Sequence, residues 1–134
     1  MEEDEELQRI RAKKLREIMQ RGGEEEAEKN IVEINDLTFD EVLQKTKGPL
    51  LVDFWAAWCM PCKIMEPVME ELARDYAGKA VFAKVNIDEN SDTALRYQVM
   101  SIPTFIIFKN GRPAERIIGA VGRGPLEGAL KKQL

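Results

Sequence analysis

The chain contains no histidine, and its 134 residues include only two cysteines, Cys59 and Cys62. The first absence removes the side chain most often used to carry protons near neutral pH and the commonest metal ligand. A closed structural zinc site takes four ligands, usually cysteine or histidine, and this chain can offer two. Only a zinc or iron–sulfur centre shared between two subunits would escape that count, and nothing in the sequence points to one. Also missing is any run of roughly 18 apolar residues able to span a bilayer. Basic residues are not in excess, since 20 Lys and Arg face 24 Asp and Glu for a net charge of -4, which argues against a dedicated nucleic-acid binder. The opening residues, MEEDEE, are acidic where a secretory signal would be basic. A cytoplasmic protein with no membrane partner is therefore expected, and in that reducing compartment a lone cysteine pair is catalytic or metal-binding more often than a permanent bridge.

What is present is the composition of a soluble globular protein, 44% hydrophobic and 33% charged, long enough for one domain with a proper core and an appendage. Residues 1–21 are rich in Glu, Arg, Lys, Leu and Ile, have neither Gly nor Pro, and stop at Gly22-Gly23, which predicts an N-terminal helix. Its acids come first and its bases later, as the helix dipole favours, and Leu7, Ile10, Leu15 and Ile18 give it one modest apolar face. The basic segment Arg9 to Arg16 reads as a solvated helix face before it reads as a nucleic-acid contact. Residues 22–30 read as a linker, so that 1–30 form an extension and 31–134 the domain.

From Ile31 strand and helix signals alternate. IVEI (31–34) predicts a strand, and Thr38 with Glu41 a capping box opening a helix to about Thr46. LLVDFWA (50–56) is almost wholly apolar, as a strand covered on both faces should be. A helix is expected from about Pro61 to Tyr76, with Met65, Val68, Met69, Leu72 and Tyr76 at core spacing and Pro67 as a kink. VFAKVNI (81–87) is a strand, 92–97 a short helix, and TFIIFK (104–109) turns at Asn110-Gly111 into ERII (115–118) as a hairpin. A helix over 126–133 closes the chain. The order β-α-β-α-β-α-β-β-α implies an α/β fold, with a mixed sheet of about five strands and helices on both faces.

Three readings compete for Trp58-Cys59-Met60-Pro61-Cys62. Besides the metal site, a disulfide over two intervening residues closes so short a loop that it removes little entropy from the unfolded chain, and makes a poor staple. The redox reading fits the local chemistry. Cys59 follows a strand where a helix begins, so free backbone N–H groups and the positive end of the dipole favour its thiolate. Cys62 is one helical turn on, close enough to attack a mixed disulfide formed at Cys59. One sulfur is expected to be exposed to begin the exchange and its neighbour to resolve it, while Pro61 pre-sets the first helical turn.

The segments VDFWAAWCMPCK (52–63), Pro67, KVNID (84–88), SIPTF (101–105), FKNG (108–111) and Gly119, in this order and spacing, resemble thioredoxin over about residues 31–134. The pairing of C-x-x-C with a βαβ pattern is itself a sequence mark of that fold. The resemblance implies a protein-disulfide reductase with Cys59 as nucleophile and Cys62 as resolving cysteine, with no cofactor of its own. It would act as a monomer, between thioredoxin reductase or an equivalent electron donor and disulfide-containing target proteins. Asp53, taken alone, fits a bulge or an exposed sheet face as well as a buried site, because strands disfavour aspartate and burial penalises its charge. The resemblance makes it the buried acid behind Cys62, with a raised pKa, exchanging the proton of that thiol. Lys84 matches the lysine paired with that acid, though a lysine at a solvated strand edge fits equally. Pro103 matches a cis proline facing the cysteines, leaving the Ile102 backbone free to pair with an extended substrate; without the resemblance, Ile-Pro is an ordinary loop. Trp58, Met60, Ile102, Pro103, Gly119 and Ala120 would form an apolar rim around Cys59, with Trp55 packed beneath. Met60 stands where thioredoxins commonly have glycine, and Ala57 where an acid is frequent. Two other classes fit parts of the sequence: an oxidase or isomerase on the same fold, and a binding module in which the N-terminal helix docks a partner.

Overall fold

A computed structural model describes residues 30–134, together with Arg9. The expected helix over 1–21 and the linker after it lie outside the described residues. In chain order the elements are β1 (Ile31–Glu33), α1 (Phe39–Lys45), β2 (Leu50–Trp55), α2 (Met60–Asp75), β3 (Val81–Asn86), α3 (Ser91–Arg96), β4 (Thr104–Lys109), β5 (Arg112–Ile118) and α4 (Arg123–Lys131). The sheet runs β1-β3-β2-β4-β5. β3 pairs with β1 and β2 in parallel, and β4 pairs with β2 and β5 in antiparallel register.

Side-chain alternation along the strands divides the core in two. On one face Leu51, Phe82, Phe105 and Ile107 pack against Met65, Met69 and Leu72 of α2 and against Leu126 and Leu130 of α4. On the other, Leu50, Val52, Phe54, Val85, Ile106 and Phe108 pack against Phe39 and Leu43 of α1, with Tyr97 and Val99 at the margin. Phe39, Tyr97 and Phe108 meet there with ring centroids 5.1 to 5.6 Å apart, the tilted arrangements that aromatic quadrupoles favour. Central β2 is buried from Leu50 to Phe54 and half-buried at Trp55, which is why its sequence carries no polar alternation.

Most element ends fall within a residue or three of the sequence expectation, and two differ for a physical reason. The capping box does not form: Thr38 makes no side-chain cap to α1, because its Oγ1 accepts the Asn35 N–H instead (3.1 Å). Asn35 shapes that turn, with Oδ1 accepting the Leu37 and Thr38 N–H groups at 2.9 and 3.0 Å. β5 begins at Arg112, directly after the Asn110-Gly111 turn, where both residues have positive φ (53° and 77°). A register shift between Ile107 and Phe108 absorbs one residue, and Pro113 is tolerated because an edge strand leaves one side without partners. Pro67 does not interrupt α2, which runs unbroken through it.

Helices α2 and α4 are tied by one cation. Arg123 donates to Asp75 at 2.7 Å, to Glu127 at 3.2 Å and to Glu71 at 3.3 Å, and the Tyr76 hydroxyl donates to Glu127 at 2.6 Å. These donors hold the Glu127 carboxyl at about 2, well below its ordinary 4.5. A depressed folded-state pKa means stabilisation that is complete above about 4.5 and is lost as pH falls towards 2. Denaturant unfolding of Glu127→Gln is expected to show a shallower loss of stability across that window than the parent chain; an unchanged slope would show that the cluster is energetically idle.

Candidate active site

β2 ends at Trp55, and a three-residue connection brings the chain to Cys59, whose N–H donates to the Ala56 carbonyl at 3.2 Å. Cys59 is the N-cap of α2, with extended backbone (φ -90°, ψ 107°), and its Sγ accepts the Cys62 N–H at 3.2 Å. Pro61 lies in the first turn, where a missing N–H removes no helical bond. The two cysteines are joined as a disulfide with Cα atoms 5.3 Å apart, inside the ordinary range for such bridges. When the bridge is reduced, a sulfur at the N-cap faces the free N–H groups and positive dipole end of a 16-residue helix, which stabilises a thiolate.

The expectation of one exposed sulfur is corrected by burial. Cys59 is 3% exposed and Cys62 2%, packed in a cluster with Ala56, Trp55, Ile87 and Ile102. What separates them is their surroundings. Cys59 opens on a groove of about 530 Å³ walled by Trp58, Met60, Pro61, Ile87, Val99, Met100, Ser101 and Ile102, and its Sγ lies 3.8 Å from the Ile102 carbonyl oxygen. Cys62 is not part of that wall.

Trp58, Met60 and Ile102 thus stand beside Cys59, and Trp58 is fixed by its Nε1 donating to Asp88 at 2.8 Å. Pro103 is buried and follows a cis Ile102–Pro103 peptide. Gly119 joins Pro103 through its N–H (2.8 Å to the Pro103 carbonyl), but neither Gly119 nor Ala120 walls the groove. Val99 and Met100 were not singled out by sequence, and Ile87 and Ser101 stood in the KVNID and SIPTF segments without being assigned to the site. Their one visible signal is the apolar pair Val99-Met100 in the loop before Ile102-Pro103, with Met100 92% exposed. Trp55 packs against the cysteine cluster, together with Ile87 and Ile102.

On the α2 face of β2, Asp53 is 4% exposed, and its Oδ1 has no hydrogen-bond partner among the described residues. Burial pushes its pKa from an ordinary 3.8 to about 7; Lys84 pulls it down and Glu66 pushes it up. Lys84 is the register neighbour of Asp53 on β3. That strand is interior to the sheet, so the lysine is not at a sheet edge. Its ammonium lies 5.1 Å from the centroid of the Trp55 ring, within cation–π reach. Cys62 stands one helical turn before Glu66 on α2, and Glu66 borders the same cavity as Asp53. Among the described residues no group of three or more Cys, Asp or Glu is arranged to hold a metal ion.

Two sulfurs that bond at a helix N-terminus, one of them opening on an apolar groove, hold the electrons for exchange with a polypeptide laid against them; this is a thiol–disulfide oxidoreductase. Residues 30–132 match the thioredoxin family. The thioredoxin of Staphylococcus haemolyticus strain JCSC1435 is 50% identical over 104 residues, covering 78% of this chain and 98% of that protein. The thioredoxin of Staphylococcus aureus strain Mu50 is 49% identical over the same lengths. The chain belongs to the thioredoxin family. It is a protein-disulfide reductase that works by dithiol–disulfide exchange through Cys59 and Cys62. Membership implies a reductase as electron source and disulfide-bearing proteins as targets in general. Among the described residues no helix is long and apolar enough to cross a membrane.

A carboxyl whose folded-state pKa is raised destabilises the fold as pH rises, because the folded chain binds the proton more tightly than the unfolded chain. For Asp53 the window runs from about 4 to about 7, and at about 1.4 kcal/mol per pH unit the loss is on the order of 4 kcal/mol. Asp53→Asn is expected to be more stable than the parent at pH 8, by an amount that shrinks to near zero at pH 4. A difference that does not change with pH would contradict a buried, titrating Asp53.

Proposed function

We propose that Cys59 is the attacking sulfur, Cys62 the resolving one, and Asp53 the group that accepts and returns the Cys62 proton. The observation that carries this is the asymmetry of the bridged pair: Cys59 borders the groove and Cys62 does not. The Cys59 thiolate attacks one sulfur of a target disulfide, whose other sulfur leaves as a thiolate. Cys62, deprotonated to the Asp53 carboxylate, then attacks the Cys59 sulfur and releases the second target thiol. Two electrons pass to the target, and the Cys59–Cys62 bridge remains. Lys84 acts as the counter-charge to Asp53, and Pro61 holds the turn that spaces the sulfurs. A target segment lies extended along the groove against Trp58, Met60 and the Ile102 backbone, in the manner of strand addition. Pro103, Gly119 and Ala120 do not wall the groove themselves; the hydrogen bond from the Gly119 N–H to the Pro103 carbonyl ties the loop of Gly119 and Ala120 to the one that carries Ile102.

The oxidised pair is restored by thioredoxin reductase or an equivalent donor, and the protein works as a monomer in the cytoplasm. The exchange is carried by the 31–134 domain, to which residues 1–30 form an N-terminal extension.

Cys59→Ser is expected to abolish reduction of insulin disulfides, while Cys62→Ser is expected to accumulate mixed disulfides with target proteins, detected as reductant-sensitive bands by non-reducing electrophoresis. An active Cys59→Ser chain, or mixed disulfides trapped by Cys59→Ser in place of Cys62→Ser, would reverse or refute these roles.

A further inference from the structure

Asp53 is not sealed inside the domain. It borders a second cavity of about 370 Å³, walled by Ile31 and Glu33 of β1, Lys84 of β3, and Glu66, Met69 and Glu70 of α2. Volume of that order accommodates several waters at about 30 Å³ each. Glu33 and Glu66 are exposed, Lys84 and Glu70 are half-buried, and Asp53 is buried, so the cavity leads from solvent to the carboxyl. It has no wall residue in common with the groove beside Cys59. A target lying in that groove therefore leaves the approach to Asp53 uncovered at the moment when the Cys62 proton has to move.

The charges around the cavity come from three elements. Glu33 stands on β1, Lys84 on β3, and Glu66 and Glu70 on α2. The fourth neighbour, β4, presents Phe105 in register with Asp53 and adds no charge there. A carboxylate near a buried carboxyl opposes its ionisation, and an ammonium assists it. Glu66 is placed to act most directly on the reaction, because it follows Cys62 by one helical turn and, from the exposed side of α2, borders the cavity that reaches Asp53.

We propose that Glu66 is a positioning residue for proton transfer at Asp53: standing on the helix wall of this cavity, with Lys84 on the sheet wall, it sets how tightly Asp53 holds the proton it exchanges with Cys62. This rests on the reading of Asp53 as the proton acceptor. The direction agrees with the electrostatics, in which Glu66 pushes the Asp53 carboxyl up and Lys84 pulls it down around a midpoint near 7. With the midpoint there, small changes in either neighbour move the fraction of Asp53 ready to accept a proton at physiological pH.

The test uses the full chain in the oxidised state, with the Asp53 carboxyl followed by carbon-13 NMR across pH 4 to 9, beside the pH profile of insulin reduction. Glu66→Gln is expected to lower the Asp53 midpoint by at least about 0.3 pH unit, a twofold change in its acid dissociation constant, and to move the acid limb of the rate profile to lower pH. Glu66→Asp should restore most of both shifts, and Lys84→Met should move the midpoint the other way. An unmoved midpoint in Glu66→Gln overturns the proposal, even where Asp53→Asn removes the limb. Retention of the parent limb by Asp53→Asn overturns the proton-acceptor reading on which the proposal rests, whatever Glu66→Gln does to the midpoint.

Discussion

The site depends on a carboxyl that burial leaves poorly solvated. β2 is the middle strand of five, covered by α1 on one face and by α2 and α4 on the other, and Asp53 is its only ionisable residue. Burial there disfavours the charged form strongly enough to bring the carboxyl near neutrality. The same strand, through the short connection after Trp55, delivers Cys59 to the start of α2. One element thus fixes Cys59 and the buried Asp53 carboxyl relative to each other. The fold tolerates the unfavourable aspartate because the apolar contacts on both faces of β2 far outnumber it.

Around that pair the two cavities divide the work. The groove beside Cys59 is apolar, with Trp58 and Met60 both about two-thirds exposed, and presents a surface that an extended chain can cover. Met60 adds a flexible thioether to that surface, a side chain suited to varied partners. The cavity behind is lined by charge and reaches Asp53 from another direction. The two walls share no residue, so a substitution on one leaves the other intact.

Much of this was legible in the chain itself, and the exceptions share a cause. The nearly continuous apolar run of β2, the helical spacing of Met65, Met69 and Leu72, and the Asn110-Gly111 turn are local patterns, and local patterns survive into the fold. So did the order of strands and helices. The capping box failed because Asn35, three residues upstream, competes for Thr38. β5 starts three residues before the expected ERII, at Arg112, because as an edge strand it can accommodate Pro113. Lys84 was ambiguous for the converse reason, since only the sheet order shows that β3 is interior. Ile87 and the pair Val99-Met100 join the groove from two separate places along the chain, and no short window of sequence brings them together. Glu66 carries no distinguishing mark in the sequence, and its place beside Asp53 appears only from the cavity they share.

The central claim is that Cys59 and Cys62 form a reducing dithiol, and the most direct test is their midpoint potential, measured by equilibrating the full chain with graded ratios of reduced and oxidised dithiothreitol. Family membership predicts a value near the −270 mV typical of thioredoxins, roughly. A value near about −120 mV, that of a strong disulfide oxidant, would contradict it and reverse the direction of the exchange.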